Sequence, residues 1–326
     1  MKGNVSIIGA GAFGTSIANL ISNNGYNVSL LVHESELINQ INVEHENKLY
    51  FPGFKLNQNI IATQDLNDNI KDVKVIFIAV PVIYLKNILE NLKKVININN
   101  NFLIVSLSKG LDSNNFLLPT QIIEQELKDK ILKENIMALA GPNFAHEIAQ
   151  EKLTYTTLVG CDQKNLIYIK NILENNYFKC ELSSDILGVQ IGGAFKNLIS
   201  LLAGLLYGYG LGQNAVAYFV AKAFIELSSL SKKMGANSET IYDISGFGDL
   251  YLSSTSVCGR NYSLGTQIGQ LIKNKNFDNN TFFKDKILPE GINTCIALEN
   301  YSNKNNIKLS YLNIAHNIIF KGELCV

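Results

Sequence analysis

Apolar positions change their spacing once along the 326-residue chain, and the change divides it into two kinds of structure. Up to about residue 183, short apolar runs bounded by turn residues alternate with segments whose apolar positions recur every three or four residues. Runs at 5–8, 27–32, 75–80, 102–107, 136–140, 154–159 and 177–182 predict strands, and 15–22, 84–95 and 121–133 predict helices between them. Strands alternating with helices imply a mostly parallel, doubly wound sheet. Beyond Ser183 the strand signal fades. Segments 185–207, 214–234, 263–273 and 292–303 keep the helical period, which predicts an all-α second domain. The expected division is 1–183 and 184–326, and such a junction makes a cleft.

Composition narrows the class. A chain that is 47% hydrophobic and 17% charged has ample material for buried cores, which excludes disorder as its main state. Its 28 basic residues balance 28 acidic ones, which argues against nucleic-acid binding by overall charge. Among the basic residues only Arg260 is arginine. The five cysteines, Cys161, Cys180, Cys258, Cys295 and Cys325, form no C-x-x-C pair, so neither a disulfide framework nor a zinc ribbon is indicated and a reducing cytoplasm fits best. Met1-Lys2-Gly3-Asn4 runs into a strand without the apolar region of a signal peptide. The most apolar stretch, 186–211, carries Gln190, Lys196 and Asn197, which makes a membrane-spanning helix costly and a buried helix the expectation. The four histidines show no metal-ligand spacing, and no metal site is expected.

The strongest local signal is Gly9-Ala10-Gly11-Ala12-Phe13-Gly14, directly after a strand and opening a helix. Gly9 permits the tight turn, Gly11 lets a pyrophosphate approach the backbone, and Gly14 allows close helix packing, while the helix N-terminus supplies N–H donors. This is the dinucleotide fingerprint of a Rossmann-like domain. The ribose should meet the end of the second strand, where Glu34 suits a 2′-hydroxyl and NAD, and His33 suits a 2′-phosphate and NADP; the sequence leaves the two open.

Three further loops end strands. Val80-Pro81 suits the wall of a cofactor groove or a plain turn. Ser106-Leu107-Ser108-Lys109-Gly110 offers a lysine for a phosphate or carbonyl. Gly141-Pro142-Asn143-Phe144-Ala145 offers backbone N–H groups to an anion, or Asn143 as a simple helix cap. In the helical half Lys196 interrupts an apolar run, where desolvation lowers a lysine pKa and suits it to proton transfer. Gly192 and Gly193 nearby allow close approach of a backbone or ligand. Asp249, ending Ser245-Gly246-Phe247-Gly248-Asp249, is suited to accept from a substrate hydroxyl, to hold a lysine, or to cap a helix. Arg260, in Cys258-Gly259-Arg260-Asn261, has the fork for bidentate phosphate recognition.

Taken in order, the N-terminal GAGxxGT, SKG, GPxFAxE, GVQxGGAxKN, GxGDL and the RN pair before an EG resemble the bacterial-type NAD(P)-dependent glycerol-3-phosphate dehydrogenases, from Gly9 to about Glu290. The resemblance implies reversible hydride transfer between NAD(P)H and dihydroxyacetone phosphate to give glycerol 3-phosphate for phospholipid synthesis. It implies Lys196 as the proton-transferring residue and Lys109 at both cofactor and substrate. Gly141, Asn143, Asp249, Gly259, Arg260 and Asn261 then line the substrate, and Ala12, Phe13, His33, Ala145, Arg260 and Glu290 touch the dinucleotide. This chain departs from the family's usual residues at Leu31 (often Trp), Ala12 and Gly259 (usually Ser) and Asn143 (often Ser or Thr). Alternatives are a two-domain hydroxy-acid dehydrogenase of the 3-hydroxyisobutyrate or ketopantoate type, and a non-catalytic dinucleotide sensor. The oligomeric state stays open, a homodimer among the choices.

Overall fold

A computed structural model describes residues 2–97, 101–255, 259–284 and 288–321; Cys258 and Cys325 lie outside them. The chain divides into two compact units. The first comprises Met1–Ser108 and Pro119–Ile186, the second Lys109–Leu118 and Leu187–Val326.

Among the described residues the first unit has ten strands: β1 Asn4–Ile8, β2 Asn27–Leu31, β3 Glu46–Asn47, β4 Phe51–Lys55, β5 Ile60–Thr63, β6 Val75–Ile78, β7 Leu103–Ser106, β8 Ile136–Ala140, β9 Thr154–Val159 and β10 Phe178–Ser183. Eight form one sheet in the order β10-β9-β8-β7-β6-β1-β2-β5, while β3 and β4 make a separate antiparallel pair. All neighbours in the large sheet run parallel except β8 and β9. The Rossmann-like α/β expectation therefore holds, with one reversal of direction. Strands β6, β7 and β8 are buried at every residue, as strands covered on both faces require, and this is why they read as unbroken apolar runs. Because β1 lies between β2 and β6, the order of connection reverses at β1, and ligands in open sheets bind outside the carboxyl ends of the strands at such a point.

The second unit is helical, with helices Ile186–Tyr209, Gly212–Lys233, Asp249–Thr255, Arg260–Lys273 and Glu290–Asn305 as its larger pieces. Ile186–Tyr209 is long and apolar enough to cross a membrane, yet nearly all of its most apolar window is buried within the protein. Two glycines on this helix and two on Arg260–Lys273 explain how tightly it is packed. A Cβ on Gly204 would stand 2.1 Å from the Tyr262 carbonyl oxygen, and one on Gly208 2.1 Å from that of Thr266. Reciprocally, a Cβ on Gly265 or Gly269 would stand 2.2 or 2.3 Å from the carbonyl oxygens of Leu201 and Leu205. The backbones touch where side chains would separate them.

The segment Lys109–Leu118 belongs to this helical unit although it lies between strands of the first. Leu111 and Leu118 are buried in the helical core. Phe116 stacks on Tyr301 with ring centroids 4.1 Å apart and meets Phe195 edge-on. Apolar burial of these three side chains draws the loop out of the contiguous 1–183 division.

Candidate functional site

In the first unit the glycine loop follows β1. Gly9 has φ +110°, and a Cβ on it would stand 2.7 Å from the Ala79 carbonyl oxygen. A Cβ on Gly14 would meet the Gly9 carbonyl oxygen at 2.1 Å. Gly11 is of another kind. Its φ of −64° and ψ of 173° suit any residue, and a Cβ there meets nothing within 4 Å. Neither strain nor crowding calls for glycine at this position, whereas close approach of a ligand to the backbone does. Gly11 also caps the helix Ala12–Asn23 with no side-chain acceptor, leaving the first-turn N–H groups of Ala12, Phe13 and Gly14 to a ligand. The loop fits a dinucleotide pyrophosphate.

Asn47, fully buried, braces this loop: its Nδ2 donates to the Ala10 carbonyl (2.8 Å) and to Thr15 Oγ1 (2.8 Å), and its Oδ1 accepts from the Tyr50 N–H (3.0 Å). The Tyr50 hydroxyl in turn donates to Glu34 Oε1 at 2.5 Å, a bond that raises the phenol to about 12. His33 is exposed, and its carbonyl accepts from Gln64 Nε2 at 2.6 Å.

At the end of β8, Gly141 has φ +152°. Asn143 does not cap the next helix; Phe144 takes that position, and Asn143 Nδ2 donates to Thr156 Oγ1 at 3.2 Å. The short helix Ala145–Ala149, opened by Ala145, packs on Ala12–Asn23. Pro81 caps the helix Val82–Val95, and the Val80 carbonyl accepts from Ser108 Oγ at 2.5 Å.

In the helical unit three charged side chains converge. Asp249, 1% exposed, accepts from Lys109 Nζ at 2.8 Å through Oδ2 and forms a short bond with Lys196 Nζ through Oδ1. The lysine side chains are 15% and 11% exposed. Burial pushes the Lys109 ammonium down to about 8, opposed by Asp249 and reinforced by the Lys196 charge. Two ammonium groups on one carboxylate leave a net positive charge, suited to a phosphate or to the oxygen of a developing alkoxide. Gly192 makes this assembly possible. One turn before Lys196, it would place a Cβ 2.8 Å from the Ser245 carbonyl oxygen and 2.9 Å from Gly246 Cα, so its bare backbone admits the π-helical turn Ile244–Gly248 that leads into Asp249.

A second polar chain lies beside Lys196. Asn197 Oδ1 accepts from Asn261 Nδ2 (3.0 Å), and Asn261 Oδ1 accepts from the Gly291 N–H (3.1 Å). It ties together the helix of Lys196, the helix opened by Arg260 and the helix opened by Glu290. Gly259 caps the second of these and is buried, and Arg260, its first residue, is exposed and makes no ion pair among the described residues. Glu290, half-buried, begins the third.

The structure thus gathers Gly9, Gly11, Ala12, Phe13, Gly14 and Ala145 in one unit, and Lys109, Lys196, Asp249, Asn261 and their neighbours in the other. Asn47 and Tyr50 belong to no motif singled out from the sequence; their hydrogen bonds to the glycine loop and to Glu34 bring them into view. The paired G-x-x-x-G spacings of Gly204/Gly208 and Gly265/Gly269 were present as a signal of close helix packing.

A glycine-loop sheet followed by a helical unit with a buried lysine-carboxylate-lysine group defines a two-part nicotinamide-dependent dehydrogenase. Models of the N- and C-terminal parts of NAD-dependent glycerol-3-phosphate dehydrogenase match residues 4–166 and 185–325. The chain belongs to that family of oxidoreductases. It is 35% identical to the NAD(P)+ glycerol-3-phosphate dehydrogenase of Bacillus licheniformis, over 98% of this chain and 90% of that protein. To the enzyme of the same name from Latilactobacillus sakei subsp. sakei it is 32% identical, over 99% and 94%. The solved glycerol-3-phosphate dehydrogenase of Coxiella burnetii shares its fold, with a TM-score of 0.88 at 24% identity over 99% of this chain and 96% of that one.

Proposed function

We propose that the protein reduces dihydroxyacetone phosphate reversibly to sn-glycerol 3-phosphate, and that Lys196 moves the proton. The observation that carries this reading is the convergence of Lys109 and Lys196 on buried Asp249. NAD(P)H, when bound, supplies the hydride to C2. Lys196 delivers a proton to the carbonyl oxygen as negative charge develops there, and takes it back in the oxidative direction. Asp249 orients both lysines, and Lys109 contributes a second positive charge toward substrate and cofactor. Arg260 and Asn261 supply donors for the phosphate, with Gly141, Asn143 and Gly259 completing the substrate site. Gly9, Gly11, Ala12, Phe13 and Gly14 hold the dinucleotide, with His33, Ala145, Arg260 and Glu290 as further contacts. The product feeds glycerophospholipid synthesis in the cytoplasm.

The test is oxidation of NADH or NADPH by the purified protein with dihydroxyacetone phosphate, compared with carboxylated ketones. Lys196→Ala should lower turnover by roughly 10²- to 10⁴-fold while coenzyme binding persists. A native protein that binds coenzyme but turns over neither form with this substrate would sink the assignment, and full turnover in the mutant would remove Lys196 from the proton transfer.

A further inference from the structure

The end of β2 carries the residues that read the adenosine ribose in sheets of this kind. Here Leu31 is in register with Ile8, and its carbonyl accepts from the Gly9 N–H at 3.1 Å, so the chain leaving β2 starts beside the glycine loop. Three residues on stands Glu34, half-buried, with one carboxylate oxygen taken by the Tyr50 hydroxyl. Tyr50 is itself held through its backbone N–H by Asn47, whose amide grips Ala10 and Thr15 on either side of the loop's turn. A continuous set of hydrogen bonds therefore runs from the phosphate-binding loop to this carboxylate.

A second carboxylate stands close by. Glu36 lies close enough to act on Tyr50 alongside Glu34. The unit that carries Glu34 contains no arginine, the chain's single one, Arg260, belonging to the other. His33 offers at most one cation, with its backbone fixed by Gln64.

We propose that Glu34, positioned by Tyr50, sets the coenzyme preference: the carboxylate accepts from the 2′-hydroxyl of NAD(H) and repels the 2′-phosphate of NADP(H). The inference rests on the dinucleotide reading of the glycine loop and extends it to a choice between the two coenzymes. Glu34 is the specificity residue. Tyr50 acts through it.

Binding of NADH and NADPH to the native protein, followed by calorimetry without substrate, tests this directly. The expected ratio favours NADH by on the order of 30-fold, the scale of a like-charge contact at a half-buried site. Glu34→Gln should collapse the ratio by tightening NADPH, Glu34→Arg should reverse it, and Tyr50→Phe should shrink it with the fold intact by thermal melting. Added salt should narrow the native ratio, since the repulsion is partly exposed to solvent. Equal or tighter binding of NADPH by the native protein, or an unchanged ratio in Glu34→Gln, overturns the proposal while leaving dinucleotide binding in place. Failure to bind either coenzyme overturns the dinucleotide reading and this inference with it.

Discussion

Glycine does opposite work in the two units. In the sheet unit Gly11 sits in an ordinary backbone conformation, and no part of the fold fills the space where a side chain would be. In the helical unit Gly204, Gly208, Gly265 and Gly269 leave no space at all, because the neighbouring backbone already fills it. One absence of a Cβ leaves open space beside the turn; the other brings two helices together. A residue type alone carries neither meaning. What distinguishes them is whether a Cβ would touch protein.

The comparison breaks most visibly at Gly204. Gly204→Ala forces a methyl against the Tyr262 carbonyl, and overpacking of this kind should cost about 3 kcal/mol, read as a lower midpoint in urea. A native-like midpoint would mean that the helices slide apart at little cost. Next in size is the pH response of the charged group Lys109–Asp249–Lys196. The Lys109 ammonium, at about 8, should lose its proton as pH rises, so affinity for dihydroxyacetone phosphate should fall up to tenfold per pH unit above that point. Lys109→Arg, which stays protonated, should move this alkaline limb upward. For stability the sign is opposite: the unfolded lysine keeps its proton up to about 10.4, so between these values the unfolded chain binds more protons and this residue's contribution grows with pH. An alkaline limb unaffected by the arginine variant would assign it to another group. The smallest effect is expected at Gly11. Gly11→Ala should leave stability within about 0.5 kcal/mol while weakening coenzyme binding, a split that Gly204→Ala should not show. Parallel loss of stability would place Gly11 with the packing glycines.

Much of this was legible in sequence, unevenly and for physical reasons. The strand at Thr154–Val159 is found where its apolar and β-branched run predicts it, and the other long strands fall within two residues of expectation. Strand β5 was not expected, because four residues set between Asn-rich and polar stretches give too short a pattern, and β4 carries Pro52 and Gly53 within its span. Helices begin earlier than their apolar period suggests: Ala12 rather than Thr15, Arg260 rather than Ser263, Glu290 rather than Ile292. In each case the cap is Gly11, Gly259 or Pro289, with no side-chain hydrogen bond to announce it. Lys196 stood out because it interrupts an apolar run, and Asp249 because a glycine-rich turn precedes it. That a third partner, Lys109, meets them depends on a long-range excursion for which local spacing carries no signal.

That excursion bears on how the chain is made. Lys109–Leu118 leaves the ribosome long before the helices whose core it completes, and until they arrive Leu111, Phe116 and Leu118 have no apolar surface of their own unit to cover them. A fragment ending at residue 183 would thus carry this apolar loop without the core that covers it. The two halves are assigned separate tasks, yet biosynthesis commits to both of them at once.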